Sequence, residues 1–122
     1  EVNMATTFSK VVPSGSTNGM GIKITATATL GTTFHTAVSG TTSFDEIWLY
    51  LFNSDTASHV VTIEYGDATA PDHNIVLTVQ PKSGLVLAVP GLILNNAKIV
   101  TVFADSANVI TMSGFVNRIT VV

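Results

Sequence analysis

The sequence predicts an all-β fold: an eight-stranded, antiparallel, jelly-roll-like β-sandwich with an extended N-terminal arm. Three observations predict it. Helical periodicity is absent, because no window of about eleven residues holds apolar side chains at spacings of three and four. Thr, Val and Ile are frequent, and these fit the pleated, half-buried surface of a strand. Turn residues punctuate the chain about every eight to twelve positions, the spacing of a sandwich or barrel. An immunoglobulin-like sandwich is the alternative, without the cysteine pair that marks antibody domains.

Residues 1–21 read as a flexible N-terminal arm, since Ser14-Gly-Ser-Thr-Asn-Gly19 follows Pro13. Residues 22–122 read as a single sandwich domain. Its first strand is expected over 22–30, with Ile22, Ile24, Ala26, Ala28 and Leu30 inward and Lys23, Thr25, Thr27 and Thr29 outward. Gly31 turns the chain into a strand at about 33–38. After the Ser39–Ser43 loop comes a strand over 44–53, then strands over 59–65 and 74–80, the latter with Val76 on the outer register. A strand over 85–89 is apolar on both registers and is expected to end at Pro90-Gly91. Strands over 97–104 and 109–121 complete the set, and Gly114 marks a bulge or a close backbone approach.

The strand at 44–53 is apolar on both faces. Phe44, Trp48, Tyr50 and Phe52 share one side with Glu46, while Ile47, Leu49 and Leu51 share the other with Asp45 and Asn53. One face suffices for a lone sandwich, so the second implies another subunit. The aliphatic set is assigned to the core, and Trp48, Tyr50 and Phe52 to a subunit interface, where large aromatics are enriched.

Composition narrows the function classes. The 122 residues are enough for one domain with a real core. Charged residues make up 11%, well under the usual quarter, and mean hydropathy is +0.47. Such a weakly charged surface is expected where partners cover much of it. The five basic residues form no run, which argues against a nucleic-acid partner. No apolar run approaches the roughly 20 residues of a membrane helix, so no membrane partner is expected. With no cysteine there is no thiolate zinc site and no thiol nucleophile.

Little points to catalysis, and no enzyme activity, cofactor or metal is expected. His35, His59 and His73 are not spaced as metal ligands on one element. Asp67, Asp72 and His73 surround one loop that could bind a divalent cation through oxygen ligands. Turn formation around Pro71 is the stronger reading of the two aspartates. Asp45 and Glu46 point to opposite faces and cannot serve one substrate as an acid–base pair. One is expected to be solvated and the other to pair with Arg118 or a lysine. Trp48 and Tyr50 would form a sugar-stacking platform if exposed, although core or subunit contact is favoured.

The segments Ser43-Phe-Asp-Glu-Ile-Trp-Leu-Tyr-Leu-Phe-Asn53, Val61-Thr-Ile-Glu-Tyr-Gly66, Thr69-Ala-Pro-Asp-His-Asn-Ile75, Ser83-Gly-Leu-Val-Leu-Ala-Val-Pro-Gly91 and Gly114-Phe-Val-Asn-Arg-Ile119 resemble those of small β-sandwich structural proteins of tailed bacteriophage virions. The resemblance is one of short phrases over about residues 40–120. It implies a capsid decoration, or cement, protein on the capsid exterior of a virion assembled in the host cytoplasm. The implied partners are the major capsid protein and further copies of the chain, a homotrimer being favoured. A carbohydrate-binding or adhesin module is the second reading. A cupin-like metal enzyme using His35, His59 or His73 is the third.

Overall fold

The computed structural model describes residues 5–122, so the start of the expected arm, residues 1–4, lies outside the described residues. The described residues form nine strands and no helix: β1 (Thr7–Val11), β2 (Ile22–Lys23), β3 (Thr32–Thr36), β4 (Phe44–Asn53), β5 (His59–Gly66), β6 (Asn74–Val79), β7 (Val86–Leu94), β8 (Ile99–Ala104) and β9 (Ile110–Thr120). They make two sheets. One has the order β1-β9-β4-β7, with β2 also on β9, and the other the order β3-β8-β5-β6. Every pairing is antiparallel.

The core lies between the sheets. Ile47, Leu49 and Leu51 of β4, Val89 of β7 and Met112 and Val116 of β9 meet Phe34 of β3, Val61 and Ile63 of β5, and Val100 and Val102 of β8. All are sealed from solvent. The alternation along β4 follows from its sequence, since odd-numbered positions 45–53 are buried and even-numbered ones half-buried. The aliphatic face is therefore the core face, as the sequence reading had it.

The strand count departs from eight because Thr7–Val11 adds a ninth, and the expected strand at 22–30 does not form beyond Lys23. Ile24 is buried, but Ala28 is exposed and Leu30 is 67% exposed. Local hydrogen bonds compete with the ladder here. The Thr32 hydroxyl accepts the N–H groups of Thr25 and Ala26, curling the chain into a loop. Thr7–Val11, within the expected arm, is a strand on the edge of β9. The segment after it is held rather than free. Gly15 N–H donates to Phe34 O (2.9 Å), and Ser14 Oγ accepts from Thr36 N–H (2.7 Å).

β7 also differs, running through Pro90 to Leu94 instead of stopping there. An edge strand tolerates a residue with no N–H, and register shifts against β4 flank Trp48 and absorb the irregularity. Gly91, at φ 79°, leaves room for the Trp48 ring, which a Cβ there would approach to 2.9 Å. Gly114 marks a close approach of β9 to β4, because a Cβ there would lie 1.9 Å from Trp48 O. Gly114→Ala should lower stability by about 4 kcal/mol or more, at the upper end of single-residue effects. Gly40→Ala, where nothing lies within 4 Å, should cost far less. Urea unfolding of the two variants checks this.

Candidate functional site

The outer face of the five-stranded sheet carries the predicted aromatic residues. Register aligns it in rows across β9, β4 and β7. Asn117, Glu46 and Ile93 form one row, Phe115, Trp48 and Pro90 the next, and Ser113, Tyr50 and Leu87 a third. Phe52 pairs with Thr111, and Phe8 of β1 extends the row of Ile119 and Phe44. Trp48, Tyr50 and Phe52 are half-buried, so they stand neither in the core nor fully in solvent. Phe8, Leu85, Leu87 and Ile93 around them are exposed.

Trp48 is held rigidly. Its ring stacks on Phe115 at 5.7 Å between centroids and 12° between planes. Its Nε1–H donates to Glu46 Oε1 (2.7 Å), which also accepts from Asn117 Nδ2 (3.0 Å). These two bonds, Trp48 first, lower the Glu46 pKa. Lys10 Nζ sits 4.6 Å from the Phe115 centroid, a cation–π distance. The result is a pre-ordered apolar surface with one acid and one base along the β1 side.

Asp45 points the other way, into a buried polar cluster. Its Oδ1 accepts from Arg118 Nε (2.8 Å), and its Oδ2 from Arg118 Nη2 (2.9 Å), His35 Nε2 (2.7 Å) and Val38 N–H (3.0 Å). Burial raises the Asp45 pKa, but the Arg118 and His35 hydrogen bonds outweigh it and leave it below the usual range. His35 Nδ1 accepts Ser14 N–H (3.0 Å), so Nε2 carries the proton it gives Asp45. A serine, a histidine and an aspartate are thus neighbours. Yet His35 is 1% exposed and its Nδ1 is occupied by a main-chain donor, so it has no free nitrogen to act as a base. The expected pairing of one of the two acids with Arg118 is found at Asp45. Glu46 binds Trp48 and Asn117 instead of being simply solvated.

His59 bridges two carboxylates: Nε2 meets Asp55 Oδ2 and Nδ1 meets Asp105 Oδ1, each at 2.7 Å. Both bonds need a proton on each nitrogen, which favours the imidazolium, and the Asp55 bond is the main cause of a raised His59 pKa. The clasp joins the β4–β5 loop to the β8–β9 turn. Nothing in the sequence announced it, because Asp105 is far away along the chain and reads as a turn former. His73 Nδ1 lies 2.5 Å from Asp67 Oδ1, which also accepts Thr69 N–H, and these bonds lower Asp67 to about 2. Asp72 does not join them. Among the described residues, no group of three or more His, Asp or Glu side chains is arranged to hold a metal ion.

Glu64 was also missed. It stands on the outer register of β5, yet the loop before β3 covers it. Its carboxylate accepts from Gly31 N–H (2.8 Å), Thr101 Oγ (2.6 Å) and the Thr29 hydroxyl. Burial raises its pKa, and these three bonds pull it below the ordinary value.

No protein-family model, curated protein or solved structure matches the chain.

Arg118→Ala leaves Asp45 buried without its cation and should cost about 3–5 kcal/mol in chemical unfolding. The His59 clasp has a definite pH sign. The folded pKa lies above 6.5, so its stabilisation is complete below 6.5 and is lost as pH rises through the folded value. Asp55 and Asp105 are shifted down, so their share is present above 3.8 and lost in stronger acid. Thermal midpoints measured against pH should fall on the alkaline limb in the wild type. His59→Gln should flatten that limb.

Proposed function

We propose that the chain is a non-enzymatic virion structural protein, most specifically a capsid decoration protein that binds and stabilises a phage head. One observation carries the reading: a stacked, half-buried aromatic cluster faces outward from the middle of a sheet whose other face already fills the core. A domain that folds alone has no use for that second apolar face, whereas a subunit of an assembly does. Trp48, Tyr50 and Phe52 are the proposed contact with another copy, and a trimer is the proposed state.

The jelly-roll reading has its own support in the strand order. With the two-residue β2 set aside, pairing is nested: β1 with β9, β3 with β8, β4 with β7, and β5 with β6. A long hairpin rolled once about its length has that order, and the β4–β9 and β5–β8 pairings close the roll. Jelly rolls are a recurrent viral capsid architecture. Fold does not define function, so this adds weight only alongside the outer face.

A sugar-binding module is the second reading, favoured by the Trp48–Phe115 stack beside Glu46, Asn117 and Lys10. Aromatic planes with nearby polar groups suit a pyranose ring. Quenching and emission of Trp48, the single tryptophan, separate the readings. Glycans that shift its emission support the module.

The assembly reading predicts a self-associated species by light scattering behind a sizing column. Trp48→Ala should weaken association more than folding. Loss of folding with association intact would reverse the roles of the two β4 faces. An antibody raised against the chain should label intact phage heads. Labelling confined to tails would remove the capsid assignment.

A further inference from the structure

We propose a second self-contact: the free edge of β6 pairs antiparallel with β6 of another copy about a two-fold axis at Leu77, continuing the four-stranded sheet across both. The proposal rests on the assembly reading above but uses a different sheet.

The two sheets have four edges, and three are blunted. β1 is short and carries Lys10. β3 is covered by Ser14 and Gly15, which hydrogen-bond to Phe34 and Thr36, and it is bulged between Thr33 and His35. β7 carries Pro90, two register shifts and a carbonyl, that of Leu92, taken by the Tyr65 hydroxyl (2.8 Å). β6 has none of these devices. Its sequence, Asn74-Ile-Val-Leu-Thr-Val79, holds no charge and no proline. Among the described residues its ladder has one partner, β5. Only its two ends are taken from elsewhere, Asn74 N–H by Pro71 O and Val79 O by Asn53 Nδ2. Such an edge is a template for another strand.

The core is also unfinished here. Ile75 and Leu77 point toward it but are half-buried, whereas Val61 and Ile63 on the adjacent strand are sealed. An added strand would cover them. Val76, on the outer register, is 59% exposed.

The occupant follows from charge. Asp67 and Asp72 lie before the start of β6, and Lys82 lies just past its end. Antiparallel pairing of β6 with itself brings the acidic end of each copy to the basic end of the other. An axis at Leu77 sets Ile75 opposite the partner's Val79 and Val76 opposite the partner's Thr78, and puts the turn that holds Asp72 at the same end as the partner's turn that holds Lys82. No like charges meet, and the contact is isologous, so it closes as a dimer.

The absence of cysteine makes the register testable without background. Val76→Cys and Thr78→Cys variants are prepared separately, then mixed and oxidised. The mixture should give a disulfide-linked dimer several-fold more abundantly than either variant alone, because residues 76 and 78 face one another only across the axis. Val76→Lys places two cations near the axis and should lower the mass read by light scattering behind a sizing column about two-fold, while circular dichroism stays unchanged. Equal cross-linking in all three samples, or none, overturns the register. A mass unchanged by Val76→Lys overturns the edge contact. Association lost in Trp48→Ala but kept in Val76→Lys assigns self-contact to the aromatic face alone. Loss in Val76→Lys alone leaves the edge contact standing and removes the aromatic one.

Discussion

The Asp45 carboxylate is the constraint on which the arrangement of the strands depends. It sits on β4, its cation comes from β9 in the same sheet, and its histidine comes from β3 in the opposite sheet. Ser14, bonded through main chain to that histidine, adds the segment after β1. One buried charge thus joins both sheets and the N-terminal crossing. Buried ion pairs are weak sources of net stability compared with apolar replacements, but a mispaired one is costly. Their main effect here is on register. Asp45 opposite Arg118 marks one end of β4, and Asn53, bonded to Ala57 O and Val79 O, marks the other. Between them lie only Ile47, Leu49 and Leu51 on the inner side. Because β4 is apolar on both faces, hydrophobicity alone would not forbid a one-residue slip that swaps them. Asp45 and Asn53 forbid it, since a slip would turn both out of their hydrogen bonds and leave Arg118 unpaired.

That register determines what the outer face offers. With Ile47, Leu49 and Leu51 inside, Trp48 and Phe115 must stack outside; Gly91 clears the Trp48 ring, and Gly114 lets β9 approach the main chain of β4. The low charge of the chain then takes on a local meaning. Four of its thirteen Asp, Glu, Lys and Arg side chains sit in paired clusters, Asp45 with Arg118 and both Asp55 and Asp105 with His59, and β6 carries none. Neutral surface suits contacts that exclude water, and the edges show the same economy. Three are closed by a lysine, a proline or a crossing segment, and β6 is left open.

Much of this was legible along the chain. Alternation located six of the strands within a few residues, and Gly114 was recognisable as a backbone approach because a strand interior has little other use for glycine. The strand expected at 22–30 failed because its alternation is carried by threonine and alanine. Threonine hydroxyls bond nearby main chain as readily as they fit a ladder, and alanine buries too little to resist. Pro90 was read as a stop because the sequence does not say that β7 is an edge. The clusters at His59 and Glu64 were invisible for another reason: their partners come from distant turns and loops, and no spacing rule connects them.

By itself, then, the sequence determined an all-β sandwich and a central strand apolar on both faces. Each of these follows from local alternation of side chains, which the pleat turns directly into faces. Tertiary structure alone decided which strands are edges, which acids find partners and where the outer aromatic rows align. Those depend on the order in which strands lie side by side, and that order arises from long-range pairing that no short stretch of sequence contains.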